Sequence, residues 1–317
     1  MNNDLRIVFF GTPDFAVASL KALVDAGKNV VAVVTAPDKP AGRGHKLQPS
    51  PVKEFAVEHD LPVLQPTNLK SEDFVSELAS YHANLQIVVA FRMLPEVVWN
   101  MPPLGTYNVH GSLLPDYRGA APINWAIING ENETGVTTFK LQHEIDTGNI
   151  LDQAKTAIGP NDTMGDIYPK LMHLGAELLL KSIANIESGN IELKPQPTPK
   201  QNTHAPKIFK ETCKIDLNKT AQEIHNFVRG MSPFPAAFLS VKLEDDNLEN
   251  WKILETRTTD LGADSPPRLK ADTNQLYLVC KDALLEIKSI QTPGKKRLSA
   301  DDFLRGNRHN LSTLILE

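Results

Sequence analysis

Three polar residues, Asn108, His110 and Asp146, have the types and the sequence setting of groups that act together in catalysis. Asn108 and His110 alternate at the exit of a short apolar run, residues 106–109. This run predicts a buried strand, so both side chains project from one face. Asp146 follows a second strand-like run, residues 135–142. Open α/β sheets place their chemistry just beyond strand ends. The sequence therefore predicts that an amide, an imidazole and a carboxylate meet in one site.

The chemistry that suits this set of groups is acyl transfer. An asparagine NH2 can donate to a carbonyl oxygen as that oxygen becomes an oxyanion. An imidazole can hold or relay a proton near neutral pH, and a nearby carboxylate favours its charged form and fixes its orientation. Ser112 follows His110 too closely for an ordinary Ser–His pair, and the sequence has no Gly-x-Ser-x-Gly elbow. The pattern therefore favours direct transfer between two bound substrates, with proximity supplying much of the rate.

Each of these motifs alone also has a plain structural interpretation. An Asn-x-His pair at a strand end commonly serves as a hydrogen-bonding fixture, and an Asp-Thr-Gly sequence is commonly a turn. Their occurrence at successive strand ends favours the catalytic interpretation.

Helices and strands alternate over the first 190 residues. Strands are predicted at 5–10, 29–35, 62–65, 85–91, 106–109, 135–142 and 150–158, and helices at 12–26, 52–58, 71–80, 94–100, 120–129 and 163–188. This alternation predicts an α/β domain, residues 1–190, with a Rossmann-like, doubly wound and mostly parallel sheet. The first turn holds only Gly11 where a dinucleotide fingerprint requires three glycines, so NAD binding is not expected.

The composition changes at residues 191–206, which contain three prolines within five residues and predict a linker. Beyond it, residues 207–317 contain a predicted helix at 220–231, strands at 236–243, 251–257, 275–280 and 284–290, and a helix at 299–304. Several short strands in about a hundred residues predict a small OB-like β-barrel domain.

Length and composition limit the class of protein. The chain has 317 residues, of which 41% are hydrophobic and 22% are charged, which suits two ordinary globular domains. The net charge of −5 does not indicate nucleic-acid binding by itself. Cys213 and Cys280 show no paired spacing, which disfavours a zinc site and favours a reducing compartment. No basic stretch precedes a long apolar run near the start, so we expect a cytoplasmic protein without a membrane span.

Residues 36–51 form a long loop with four prolines and the cations Lys39, Arg43 and Lys46. Loops of this length without structure of their own are usually functional or disordered. The plain alternative is a solvated insertion. The functional interpretation is a partner-binding loop whose cations contact phosphates.

Several motifs together resemble one family. Residues 108–115 (Asn-Val-His-Gly-Ser-Leu-Leu-Pro), 118–122 (Arg-Gly-Ala-Ala-Pro) and 146–148 (Asp-Thr-Gly) resemble the 10-formyltetrahydrofolate-dependent formyltransferases. Residues 11–15 and residues 37–44 narrow the resemblance to the members that act on methionyl-tRNA. Residues 37–44 belong to the loop 36–51, called the proline-glycine loop below. The resemblance extends over the whole chain. It implies transfer of a formyl group from 10-formyltetrahydrofolate to the α-amino group of methionyl-initiator tRNA, for translation initiation.

The resemblance also implies residue roles. Asn108, His110 and Asp146 match the catalytic trio of the family. The residues that match its folate-lining segment are Ser112, Leu113, Leu114 and Pro115, and residues 90–94 would border the pterin. That last stretch departs from the family pattern because it is one residue shorter and has Phe91-Arg92 in place of Tyr-Gly.

The implied partners are the methionyl-initiator tRNA and the folate co-substrate, with no metal and no membrane, and a monomer is expected. Lys39, Arg43 and Lys46 match the inserted loop that engages the acceptor end of the tRNA. Residues 207–317 match the tRNA-binding barrel of the family. Within them, residues 295–297 (Lys-Lys-Arg) are candidate contacts with the tRNA. In isolation this basic run is an ordinary solvated turn.

Two alternatives stay open from the sequence. One is a formyltransferase that acts on a small amine, such as a sugar nucleotide or glycinamide ribotide, although such relatives generally lack the proline-glycine loop. The other is a non-catalytic protein that binds tRNA or folate.

Overall fold

The structure is a computed structural model that describes residues 5–41, 46–201, 203–307, 309–311 and 314–316. The chain divides into two compact units. The first unit contains residues up to 118 together with 135–156 and 168–203, and the second contains 119–134, 157–167 and the residues from 204 onward. Within the predicted linker, residues 191–203 are part of the first unit and residues 204–206 are part of the second.

The elements up to residue 190 follow the predicted order closely. The strands are β1 (Ile7–Gly11), β2 (Val30–Val34), β3 (Lys39–Ala41), β4 (Lys46–Gln48), β5 (Val63–Leu64), β6 (Leu85–Val89), β7 (Thr106–His110), β8 (Arg118–Gly119), β9 (Glu133–Lys140) and β10 (Ile150–Ala157). The helices are α1 (Asp14–Asp25), α2 (Pro51–Glu58), α3 (Glu72–Ser80), α4 (Glu96–Trp99), α5 (Pro122–Ile128) and α6 (Met164–Glu187).

The first unit is built on a seven-stranded sheet with the strand order β10-β9-β7-β6-β1-β2-β5. The five strands from β7 to β5 pair in parallel, and β9 is antiparallel to β7. The strands β1 and β6 are buried at every position, as expected for central strands that are covered on both faces. The predicted Rossmann-like, mostly parallel sheet is confirmed.

The second unit contains the remaining elements. These are β11 (His204–Ala205), a 3-10 turn (Glu211–Cys213), α7 (Ala221–Met231), β12 (Ala237–Lys242), β13 (Leu248–Gly262), β14 (Leu269–Asp272), β15 (Gln275–Val279), β16 (Ala283–Gln291), β17 (Leu298–Ser299), α8 (Ala300–Gly306) and β18 (Ile315–Leu316). An antiparallel sheet has the order β14-β15-β16-β13-β12-β18, with β17 beside β16. The predicted small OB-like barrel is confirmed as a curled antiparallel half-barrel.

Helix α7 begins where the sequence predicts it to begin. Oγ1 of Thr220 accepts a hydrogen bond from the main-chain N–H of Glu223, and the Glu223 carboxylate accepts from the N–H of Thr220 at 2.9 Å. Helix α7 packs against α5 at Gly230, where a Cβ would lie 2.6 Å from Ile128.

Trp251 and Phe303 form the aromatic centre of the half-barrel core, with ring centroids 5.4 Å apart. No helix in the described ranges is both long enough and apolar enough to cross a membrane.

Candidate active site

Strand β7 brings Asn108 and His110 to one face of the sheet, because side chains two residues apart on a strand point the same way. His110 is buried, with 6% of its surface exposed, and Asn108 is half-buried. Nε2 of His110 lies 2.9 Å from the carbonyl oxygen of Tyr117. Since a carbonyl only accepts, Nε2 must carry a proton. The other ring nitrogen, Nδ1, is therefore the one directed at Asp146.

The structure brings His110 and Asp146 together. Nδ1 of His110 lies 3.9 Å from Oδ2 of Asp146, and the two side chains are 7% and 13% exposed. This separation is longer than a hydrogen bond but allows an ion pair when Nδ1 is protonated. The small exposed fractions limit contact with water, which strengthens electrostatic interactions at the pair.

Asp146 reaches the imidazole by a route that the sequence did not predict. The expectation was that Asp146 meets His110 because each lies just past a strand end. Strand β9 is antiparallel to β7, with Lys140 opposite Tyr107 and Thr137 opposite His110, so β9 ends beside the beginning of β7. The loop 141–149 must therefore run back from the beginning of β7 toward its end for Asp146 to reach His110. Hydropathy patterns do not reveal strand direction, which is why the route was missed.

The turn that carries Asp146 depends on Gly148. A Cβ at Gly148 would lie 1.7 Å from the carbonyl oxygen of Lys140, so only glycine fits at this close approach. Asp146 has a φ of 53°, and Tyr117 has a φ of 61°. Positive φ values are uncommon in residues other than glycine and often accompany functional sites. Two such residues flank His110.

The segment after β7 combines buried and partly exposed residues. The Ser112 hydroxyl donates to the carbonyl oxygen of Asp116 at 2.7 Å, and the main-chain N–H of Leu114 donates to Oγ1 of Thr137 at 3.1 Å. Ser112 and Leu114 are buried, whereas Leu113 and Pro115 are half-buried. The solvent-accessible surface of the predicted folate segment therefore comes mainly from Leu113 and Pro115. The folate roles of all four residues stay predictions.

The stretch after β6, residues 90–94, is anchored by the hydrogen bonds of Arg92. The Arg92 guanidinium donates to the carbonyl oxygens of Pro66 and Thr67 and lies 5.8 Å from the centroid of the Phe91 ring. Ala90 has a φ of 47°, and Met93 is 75% exposed. Arg92 is therefore committed to a neighbouring loop, and the predicted contact of residues 90–94 with the pterin stays a prediction.

Part of the proline-glycine loop has regular structure, in contrast to the expectation of a loop without structure of its own. Strands β3 and β4 form an antiparallel hairpin in which Lys39 pairs with Gln48 and Ala41 pairs with Lys46. Lys39 is exposed. Arg43 and the side chain of Lys46 lie outside the described part of the chain.

The base of this hairpin is fixed by Asp38. The Asp38 carboxylate accepts from Nζ of Lys53 at 2.6 Å and from Nε2 of Gln65 at 2.8 Å. The hydrogen bond from Lys53, supported by the one from Gln65, lowers the pKa of the Asp38 carboxyl. These hydrogen bonds hold the chain just before β3 in place. Lys39, the first residue of β3, follows Asp38 directly.

The basic run at residues 295–297 lies in the second unit. Lys295 and Lys296 are exposed in a turn. Arg297 donates to Oγ of Ser289 at 2.6 Å and to a carboxylate oxygen of Glu255 at 2.9 Å. Arg297 is thus already paired within the half-barrel, and Lys295 and Lys296 stay candidate RNA contacts.

Sequence reasoning missed Gln196, whose side chain contacts both Arg118 and the turn that carries Asp146. The prolines around it predict a linker, and no local pattern indicates a role in the site. Among the described residues, no group of three or more His, Cys, Asp or Glu side chains could hold a metal ion.

Comparison with known proteins identifies the family. The Formyl transferase family matches residues 5–183, and the Formyl transferase, C-terminal domain family matches residues 207–308. A methionyl-tRNA formyltransferase from Bacteroides fragilis is 51% identical over 308 residues, which cover 96% of this chain and 95% of that protein. Another from Porphyromonas gingivalis is 49% identical over 311 residues, with 96% of each chain covered. The chain belongs to the methionyl-tRNA formyltransferase family.

Solved structures support the fold of this methionyl-tRNA formyltransferase family member. WlaRD, a sugar 3N-formyl transferase solved in the presence of dTDP and 5-N-formyl-THF, has a TM-score of 0.63 at 22% identity and covers 93% of this chain and 100% of its own. HypX from Aquifex aeolicus in complex with tetrahydrofolic acid has a TM-score of 0.63 at 18% identity and covers 97% of this chain and 49% of its own. These likenesses bear on the fold alone. The resemblance that the motifs indicated is confirmed by the curated relatives.

Proposed function

We propose that this protein transfers the formyl group of 10-formyltetrahydrofolate to the α-amino group of methionine on charged initiator tRNA, for translation initiation in the cytoplasm. The observation that carries the proposal is the identity of about half of all positions, over 96% of the chain, with methionyl-tRNA formyltransferases. The placement of Asp146 beside His110 supports it, because the pair provides the acid–base chemistry that the reaction requires.

The reaction joins the methionine nitrogen to the formyl carbon and separates that carbon from the folate nitrogen, while one proton passes from the amine to the folate. The Nδ2 group of Asn108 donates to the oxyanion that develops on the formyl oxygen. Nε2 of His110 stays on the carbonyl oxygen of Tyr117, so a proton at Nδ1 is the one available to the reacting groups. Asp146 can take part in moving that proton, because its carboxylate faces Nδ1 at 3.9 Å, within ion-pair distance.

The folate would lie against the segment that follows His110. Leu113 and Pro115 offer partly exposed apolar surface directly after the polar pair, which suits a flat ring that carries a reactive formyl group. Ser112 and Leu114 fix this segment through hydrogen bonds to Asp116 and Thr137.

The tRNA would contact two regions. Lys39, Arg43 and Lys46 of the hairpin loop supply positive charge for phosphates near the acceptor end. The domain at residues 207–317 would contact a second part of the tRNA, with Lys295 and Lys296 as candidates. We further propose that the protein is a monomer.

The decisive experiment is a formylation assay with the purified full-length protein. Methionyl initiator tRNA should be formylated in the presence of 10-formyltetrahydrofolate and not in its absence, while methionyl elongator tRNA should be a poor acceptor. His110→Asn is the inactive control. If initiator tRNA received no formyl group while a small amine such as an amino sugar nucleotide did, the proposed acceptor would be wrong.

A further inference from the structure

The segment that follows α6 reaches the catalytic loops of the first unit. Lys194 forms an isolated antiparallel bridge with Ile150, with an N–H···O distance of 2.8 Å in both directions. Two residues later, Gln196 is half-buried, whereas Pro195 and Pro197 on either side of it are exposed. The partners of Gln196 explain its burial.

The side-chain amide of Gln196 uses its hydrogen-bonding groups on two elements of the site. Nε2 donates to the carbonyl oxygens of Asp146 and Gly148, both at 2.8 Å. Oε1 accepts from Nε of Arg118 at 3.0 Å and from Nη2 of Arg118 at 2.6 Å. Because a carbonyl only accepts and a guanidinium only donates, these partners fix the orientation of the amide. Gln196 therefore bridges the turn 146–148 to Arg118.

The turn needs this support because of its backbone conformation. Asp146 has a φ of 53°, and a non-glycine residue holds such a conformation only where its surroundings determine it. The two bonds from Gln196 hold the peptide groups that follow Asp146 and Gly148. They thereby fix the direction in which the Asp146 carboxylate faces Nδ1 of His110, 3.9 Å away.

The same segment, residues 194–201 and 203, also reaches the loop that orients His110. The main-chain N–H of Tyr117 donates to the carbonyl oxygen of Thr203 at 2.6 Å, and the carbonyl oxygen of Tyr117 accepts from Nε2 of His110. The Asp116 carboxylate accepts from the Thr203 hydroxyl at 3.1 Å. The imidazole and the carboxylate are therefore oriented from one segment that the sequence marks only as a linker.

We propose that Gln196 is a positioning residue for formyl transfer, which ties the turn carrying Asp146 to Arg118 and so keeps the carboxylate facing His110. The inference rests on the proposed roles of Asp146 and His110 in that reaction. Gln196 acts through Asp146 and is not itself a catalytic residue, because its amide is occupied by protein groups.

Two variants separate the contacts of Gln196. In Gln196→Glu the carboxylate can still accept from Arg118, but it cannot donate to the turn and places negative charge against the two carbonyl oxygens. Gln196→Met has a similar volume and removes both sets of bonds. We expect each variant to lower kcat for formylation by ~10- to 100-fold, with KM values for tRNA and folate changed less than about two-fold, because a small misplacement of a catalytic group has effects of that size.

A double-mutant cycle with Asp146→Asn tests whether Gln196 acts through Asp146. If it does, adding Gln196→Met to Asp146→Asn should lower kcat no further, because the effects of residues that act through one another are not additive. Gln201→Met changes an exposed glutamine in the same segment and should behave like the wild-type protein.

Wild-type kcat in Gln196→Glu would overturn the proposal, and so would full additivity of Gln196→Met with Asp146→Asn. If Gln196→Met did not fold, Gln196→Glu would still decide the matter. Failure of the wild-type protein to formylate methionyl-tRNA would count against the proposed function instead. An active wild-type protein with unaffected Gln196 variants would count against the role of Gln196 alone.

Discussion

Nδ1 of His110 lies 3.9 Å from Oδ2 of Asp146, while Nε2 of the same ring donates to the carbonyl oxygen of Tyr117 at 2.9 Å. The two ring nitrogens therefore have different tasks. The bond to Tyr117 sets the plane of the ring, and the side facing Asp146 is where a second proton would lie. One edge of the ring is thereby held by the main chain, while the other faces the carboxylate.

Replacing Asp146 by Asn keeps the size of the side chain and removes its charge. Asparagine tolerates a positive φ, so the turn should keep its conformation. We expect kcat for formylation to fall by ~10²- to 10⁴-fold, the usual range for loss of acid–base catalysis, with little change in KM. Steady-state kinetics with methionyl-tRNA measure both constants.

Asp60→Asn is the matched control for this variant. Asp60 is exposed and has a φ of 54°, so the same change is made in the same backbone conformation away from the site. It should leave kcat unaltered. Equal turnover in Asp146→Asn and Asp60→Asn would remove Asp146 from the mechanism.

Replacing Asn108 by Ala tests the oxyanion donor. We expect kcat to fall at least ~10²-fold, which is the scale for loss of one such donor. Because the Asn108 side chain is only half-buried, thermal unfolding should be close to that of the wild-type protein. Asn190→Ala, at an exposed position after α6, controls for loss of an amide. Near-wild-type turnover of Asn108→Ala would contradict the assignment.

The sequence was sufficient to place Asn108 and His110 because their strand has a clear signal. The run 106–109, with Tyr107 and Val109 as its apolar members, predicts a strand, and the spacing of two places Asn108 and His110 on a common face. The half-barrel was also predictable, because its strands are separated by turn residues at short intervals.

The support around Asp146 could not be predicted because it depends on contacts between distant parts of the chain. Gln196 and Asp146 are separated by 50 residues, and the segment around Gln196 has only the signature of a linker. The antiparallel direction of β9 was likewise hidden, since a run of buried residues looks the same in either direction. Local patterns specified the elements, whereas the contacts between elements had to be observed.

The hairpin loop should affect tRNA and not folate. We expect Lys39→Ala and Arg43→Ala each to raise KM for methionyl-tRNA and to reduce the slope of log KM against log salt by ~1, because each removes about one phosphate contact. KM for 10-formyltetrahydrofolate should stay constant. Lys70→Ala, at an exposed position before α3, is the control. An equal rise in both KM values would mean that the hairpin is structural.

Both cysteines should be unreactive in the folded protein. Cys213 and Cys280 are buried, and burial raises the pKa of both thiols, that of Cys280 to about 12. A raised pKa keeps a thiol neutral, so at pH 8 very little of either cysteine is the reactive thiolate.

Ellman's reagent measures this reactivity. We expect slow reaction at pH 8 without denaturant, and rapid reaction of two thiols per chain in guanidinium chloride, where a pKa of about 8.5 is restored. A shift from pH 8 to pH 9 should raise the native rate but leave it far below the denatured rate. Rapid native reaction of either thiol would show that the surrounding core opens readily.

Gly148→Ala should damage both stability and catalysis. The added Cβ would lie 1.7 Å from the carbonyl oxygen of Lys140, and because this obstacle is main chain no side-chain rotation can relieve it. We expect a loss of ~1–3 kcal/mol in the free energy of unfolding, the usual scale for overpacking. We also expect kcat to fall, since the turn must move and carries Asp146 with it.

Gly262→Ala is the matched control, because a Cβ at that position meets no atom within 4 Å. Its free energy of unfolding should stay within ~0.5 kcal/mol of the wild-type value, and its kcat should be unaltered. The midpoint of urea unfolding and the steady-state rate of formylation give the two quantities for each variant. If Gly148→Ala matched Gly262→Ala in both quantities, the turn could accept a Cβ at position 148 after all. The placement of Asp146 would then not depend on the close approach of Gly148 to the end of β9.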